Sequence, residues 1–133
     1  ALAQGDLKKR QALRDDLTAI IAKPAEHLFK WSQKLTTGPR DRWRPKVDLL
    51  LDLTEELLRD VVMLQANPQA ELIHADIHHI IDAFRVRLYP EGVTAVAKSI
   101  TNARTMLRQY VNGRLVVDTL LSRIQVELGD PPR

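Results

Sequence analysis

The chain has 133 residues, 44% of them hydrophobic and 28% charged, which fits one globular domain large enough to bury a core without staples. It contains no cysteine, which excludes a disulfide framework and thiolate metal sites and fits a reducing, cytoplasmic setting. The net charge of +3 is unevenly placed: residues 1 to 46 carry eleven Lys/Arg against five Asp/Glu, and the remainder nine against twelve.

The first residue is Ala1 rather than methionine, and the expectation is a fragment of a longer protein. Gly5-Asp6 offers a helix start with Asp6 as the N-cap, and Leu13, Leu17, Ile20 and Ile21 supply an apolar face to about Ala22. Pro24 restarts the chain into a second helix with Ala25, Leu28, Phe29, Ser32 and Leu35 on one side. Thr37-Gly38-Pro39 ends it, Gly38 taking the left-handed terminal conformation. Asp41 to Pro45 is expected as a basic loop or a short turn of helix, the centre of a linker-like break over 36 to 45.

Lys46 to Ala66 is the dominant segment. Val47, Leu50, Leu51, Leu57, Leu58, Val61 and Leu64 recur at steps of three and four, and the spacing predicts a core helix packed by several neighbours. Asn67-Pro68 stops it. Asp76 is placed as the cap of a fourth helix carrying Ile77, Ile80, Ile81, Phe84 and Leu88, and Tyr89-Pro90 separates this from a fifth. Val93, Val96, Ala97, Ile100, Ala103, Leu107 and Val111 line that fifth helix, where the small Ala97 and Ala103 invite close approach of a neighbour. Asn112-Gly113 breaks the chain, Asn112 caps a last helix of Leu115, Val116, Leu120, Leu121, Ile124 and Leu128, and Gly129-Asp130-Pro131-Pro132 reads as a strong stop and natural C-terminus. The expected fold is all-α, a single bundle of five to six helices.

Chemical motifs are sparse. The five glycines form no phosphate loop. His74 and His78 are four apart with Asp76 between them, but Asp76 as a cap would divide the pair, and no third ligand is evident; solvent-facing polar positions are the better account. Asp52, Glu55 and Glu56 read as a solvated helix face, or one pairing with another subunit, rather than as acid and base groups. No catalytic residue, cofactor or metal is expected. Lys34, Arg40, Arg42, Arg44 and Lys46, interleaved with Trp43 and preceded by Trp31, form a basic patch. The better account is cations solvating a loop and the helix ends beside it while the Trp rings pack on the bundle. The alternative is a nucleic-acid-binding module with Arg40, Arg42, Arg44 and Lys46 as candidates for phosphate contacts.

Leu57-Leu58-Arg59-Asp60-Val61-Val62-Met63-Leu64 and Asn112-Gly113-Arg114-Leu115-Val116-Val117-Asp118-Thr119-Leu120-Leu121 carry a resemblance. They resemble the C-terminal region of the delta-prime subunit of the bacterial DNA polymerase III clamp loader, which has a hydrophobic-Arg-Asp-hydrophobic helix and an Asn-x-x-Leu opening to its closing helix; the collar of the gamma/tau subunit is the alternative relative. The resemblance implies that 1–133 is a non-catalytic collar domain whose upstream AAA+ module is absent here. It further implies gamma/tau and delta subunits as partners in a hetero-pentameric ring that loads the sliding clamp, DNA being met through the complex. Leu49, Arg59, Asp60, Met63, Asn112 and Leu115 are the candidates for structural or subunit-interface roles. Leu49 and Met63 lie on the charged side of the core helix, and Arg59 and Asp60 are expected in ion pairs within the domain or across the ring.

Overall fold

The computed structural model describes residues 4–109 and 112–129, and these form six α-helices without a strand. They are α1 (Gln4–Ile21), α2 (Ala25–Leu35), α3 (Arg40–Ala66), α4 (His78–Arg87), α5 (Pro90–Arg108) and α6 (Gly113–Leu128), with one 3-10 turn at Ala75–Ile77 before α4. Val111 and the Asp130-Pro131-Pro132 stop lie outside the described residues.

The 27 residues of α3 extend about 40 Å at 1.5 Å per residue, enough to serve as the axis of the bundle. Every other helix packs against it. Burial therefore spreads beyond the predicted stripe. Leu53 and Thr54 are enclosed along with Val47, Leu50, Leu51, Leu57, Val61 and Leu64. Leu17 of α1, Leu28 of α2, Ile81 of α4, Leu107 of α5 and Leu120 and Leu121 of α6 close on this axis.

The axial helix begins six residues earlier than the periodicity predicts: of the loop or short helical turn expected at Asp41 to Pro45, the structure has the helical turn, continuous with α3. Proline at the sixth position removes one backbone donor and crowds the carbonyl four residues before it. The turn persists because its side chains are anchored on both sides: Trp43 is buried against Gly113, while Arg40 and Arg44 donate to the Leu107 carbonyl at the end of α5. The true break is only Thr36 to Pro39, with Gly38 at φ 94°, the left-handed conformation expected of it.

Asn112 caps α6 as predicted, its Oδ1 accepting from the backbone N–H groups of Arg114 at 2.9 Å and Leu115 at 3.4 Å. Two other expected caps are corrected. Helix α1 is already under way at Gln4, so Asp6 sits inside the first turn, where a carboxylate still favours the positive helix end. Asp76 lies in the 3-10 turn and makes no cap for α4, because its carboxylate is turned toward Arg14 of α1.

Helices α5 and α6 form the most extensive helix pair. Gly92 lies close to α6, where an added Cβ would be 3.3 Å from Glu127 Cβ (and 2.8 Å from Leu88 Cδ1), and a Cβ on Gly113 would lie 2.6 Å from the Trp43 ring of α3. Of the two alanines expected to allow close approach, Ala103 is buried and Ala97 is exposed. Phe29, placed on the inner side of α2 by its spacing, is 39% exposed.

Candidate functional site

Three surface regions hold the residues singled out from the sequence. The first is a charged seam between α1, α3 and the segment leading into α4. Asp60 is the one carboxylate on α3 in apolar register, three residues after Leu57 and four before Leu64, and it is completely buried. Its two oxygens accept the backbone N–H groups of Ile73 at 2.8 Å and His74 at 2.9 Å. Arg59 Nη1 lies 3.7 Å away and is half exposed, a loose ion pair between neighbours within the domain, and the carboxylate is held chiefly by backbone amides. Asp60 is thereby a staple of the 67–77 connection and has no surface to offer a neighbouring subunit.

His74 is corrected from solvent-facing to buried. Arg14, also buried, reaches His74 Nδ1 at 3.3 Å and binds Asp76 through two 2.8 Å hydrogen bonds. A guanidinium only donates, so Nδ1 accepts, and Nε2–H donates to Glu56 Oε1 at 2.9 Å. Glu56 is paired in turn with Arg10. Hydrogen bonding from Arg14 holds the Asp76 carboxyl below its ordinary range despite the opposing effect of burial. Both ring nitrogens of His74 are engaged within the chain. A cleft of about 240 Å³ opens here, lined by Leu7, Arg10, Gln11, Arg14, Glu56 and His74 among others, and its charges satisfy one another. The His74/His78 pair gains no further ligand, and among the described residues no group of three His, Cys, Asp or Glu is placed to hold a metal ion.

The second region is the outer face shared by α3 and α5. Leu58, Val62 and Met63 from one helix and Val93, Ala97 and Ile100 from the other line a groove of about 370 Å³. Val62 and Met63 are 39% and 36% exposed. Arg59 stands at one edge, and Arg104 bridges Asp52 at 3.2 Å and Glu55 at 2.6 Å at the other. A second depression continues across Ala97 and Thr101 along the outer side of α5. Met63 thus sits on the outer side of α3, where the sequence put it, and is partly exposed. Leu49 is partly buried and packed on the core. The expected solvated face at Asp52 and Glu55 holds, whereas Glu56 is drawn into the seam.

The third region is the end of the bundle where α2 and α5 finish and α3 and α6 begin. Ser32 is buried and donates to the Arg114 carbonyl at 3.3 Å, joining α2 to α6. The candidate phosphate-binding cations divide. Arg40 lies 5.1 Å over the Trp43 ring, and together with Arg44 it neutralises the negative end of α5 at Leu107; Arg44 also pairs with Asp48. Arg42 and Lys46 are exposed. Asn112 and Leu115 are exposed at the start of α6, the first spent on its cap and the second 53% open to solvent.

The seam could have been suspected from Arg14 and Asp60, charged residues in apolar register. Nothing local signals that His74, sixty residues from Arg14, would join them. An apolar pocket of about 50 Å³ is lined by Leu17, Leu57, Phe84 and Ile124 among others. No helix among the described residues is long and apolar enough to cross a membrane. No protein-family model, curated protein or solved structure matches the chain at a significant level.

Proposed function

We propose that this chain is a non-catalytic oligomerisation domain, the collar of a clamp-loader subunit of the delta-prime kind, and that it helps close a cytoplasmic ring which loads the sliding clamp on DNA. The observation that carries the reading is the α3/α5 groove. Val62, Met63 and Ala97 are presented to solvent between charged edges, the anatomy of an interface patch with an apolar centre and a polar rim. The LLRDVVML segment that resembles the clamp-loader helix supplies four residues of that groove, Leu58, Arg59, Val62 and Met63. In this reading the segment has two faces with different duties. Leu57, Asp60, Val61 and Leu64 build the domain, and Arg59, Val62 and Met63 meet the neighbour.

The test is retention of purified gamma/tau and delta subunits by the immobilised chain. The wild-type chain retains them. Met63→Asp, which adds a charge at a partly exposed position, loses retention while keeping its helical circular dichroism. Failure of the wild-type chain to retain either subunit would overturn the proposal.

A further inference from the structure

The basic end of the bundle carries charge that the fold does not use. Within residues 32–48, 107–109 and 112–118 there are seven Lys/Arg, at 34, 40, 42, 44, 46, 108 and 114, against three carboxylates, at 41, 48 and 118. That is +4, more than the +3 of the entire chain. The contacts already described place these segments together: Arg40 and Arg44 on Leu107, Trp43 on Gly113, and Ser32 on Arg114.

Some of these cations have structural work. Arg40 and Arg44 cover the end of α5, and Arg114 lies 3.6 Å from Asp118. Arg42 and Lys46 have none. Both are exposed, and among the described residues neither side chain makes a hydrogen bond or ion pair. Their position is also electrostatically unfavourable. Arg42 lies in the first turn of α3, where the helix end is positive, and Lys46 follows four residues later, so that the two repel along one face. Folding alone would select against this pair.

We infer that this end is a docking surface for the phosphate backbone of a nucleic acid, with Arg42 and Lys46 as its principal contacts and Lys34 and Arg108 carried by the neighbouring segments. Contact with a phosphate backbone needs exposed cations and no pocket, which is what helix ends provide. A lipid surface is disfavoured because Leu115 is the single large apolar side chain exposed by more than a third in these segments, too little to insert. The inference does not depend on the ring assignment.

Fluorescence anisotropy of the full 133-residue chain with a labelled oligonucleotide, duplex and single-stranded, tests it. Three or four phosphate contacts on a duplex make affinity fall by about 40- to 150-fold between about 50 and about 200 mM salt. Arg42→Gln/Lys46→Gln flattens the salt slope by about two contacts, while its thermal midpoint stays at or slightly above wild type. Should the double variant lose helicity, the single variants report the same effect, each removing about one contact from the slope. Absence of binding at about 50 mM salt, binding unchanged by the substitutions, or preferential binding to vesicles of anionic phospholipid would each overturn the inference.

Discussion

The charged seam and the basic end both join distant parts of the chain through arginines, yet they treat charge in opposite ways. In the seam, Arg10, Glu56, His74, Arg14 and Asp76 follow one another as alternating partners, and Asp60 beneath them binds two backbone amides. Every one of those charges has an internal counterpart, so the seam fixes the 67–77 connection onto α1 and α3. At the basic end Arg40, Arg44, Arg108 and Arg114 have partners within the chain, and Arg42 and Lys46 remain over. The charge network of the seam closes on itself and acts as a folding device, whereas the excess of one sign at the basic end is what the proposed phosphate docking rests on.

The sharpest way to break this contrast is at Asp60. Asp60→Ala strips the acceptors from two amides at a buried position and is expected to cost about 2–4 kcal/mol. Urea unfolding reads the loss, and hydrogen exchange at the His74 amide reads the release of the connection. A loss below about 1 kcal/mol would show that the seam is not what holds this segment.

Gly113→Ala comes next. Alanine normally improves on glycine in a helix, but here its Cβ would meet the Trp43 ring at 2.6 Å, and an overpacking cost of about 1–3 kcal/mol is expected. Gly5→Ala in α1, with nothing within 4 Å of the added carbon, is expected to change sign and stabilise by about 0.5 kcal/mol. Thermal midpoints of the two variants side by side test whether Trp43 truly seats on α6.

Asp76→Asn sharpens the contrast by a smaller amount. The Asp76 side chain is 56% exposed, so solvent weakens the pair, and about 1 kcal/mol is expected, mostly from leaving Arg14 buried with a weaker partner. Because the folded carboxyl titrates lower than the unfolded one, its contribution is complete above the unfolded value near 3.9 and fades as pH falls through the folded value. The wild-type chain therefore loses more stability below about pH 4 than the variant does, which acid-titrated urea curves measure. Smallest of all is Arg59→Ala, expected within about 0.5 kcal/mol of wild type because that arginine is half exposed and Asp60 keeps both amide donors.

Most of the architecture was legible. The 3.6-residue spacing in α3 and α5, the prolines at 24 and 90, Gly38 and the Asn112 cap all act locally, and each left its mark within a few neighbouring residues. The start of α3 was not legible, because Pro45 argues for a break and only tertiary anchors at Leu107 and Gly113 override it. Asp76 was misread for a related reason: a carboxylate ahead of an apolar run signals a cap unless a distant arginine takes it. Glu56 and His74 were assigned to solvent since their partners lie 46 and 60 residues away, beyond any pattern in the sequence. Of the candidate interface residues, Met63 and Leu115 are at the surface, Leu49 is partly covered and Asp60 is enclosed, a division set by which side of its helix each one occupies.

The central claim is that the chain works by assembly through the α3/α5 groove. Sedimentation velocity of the chain mixed with gamma/tau and delta subunits tests it most directly. The account predicts that the chain moves into a boundary heavier than any single component and that Met63→Asp returns it to its own slow boundary with its fold intact. A wild-type chain that sediments by itself in that mixture would contradict it.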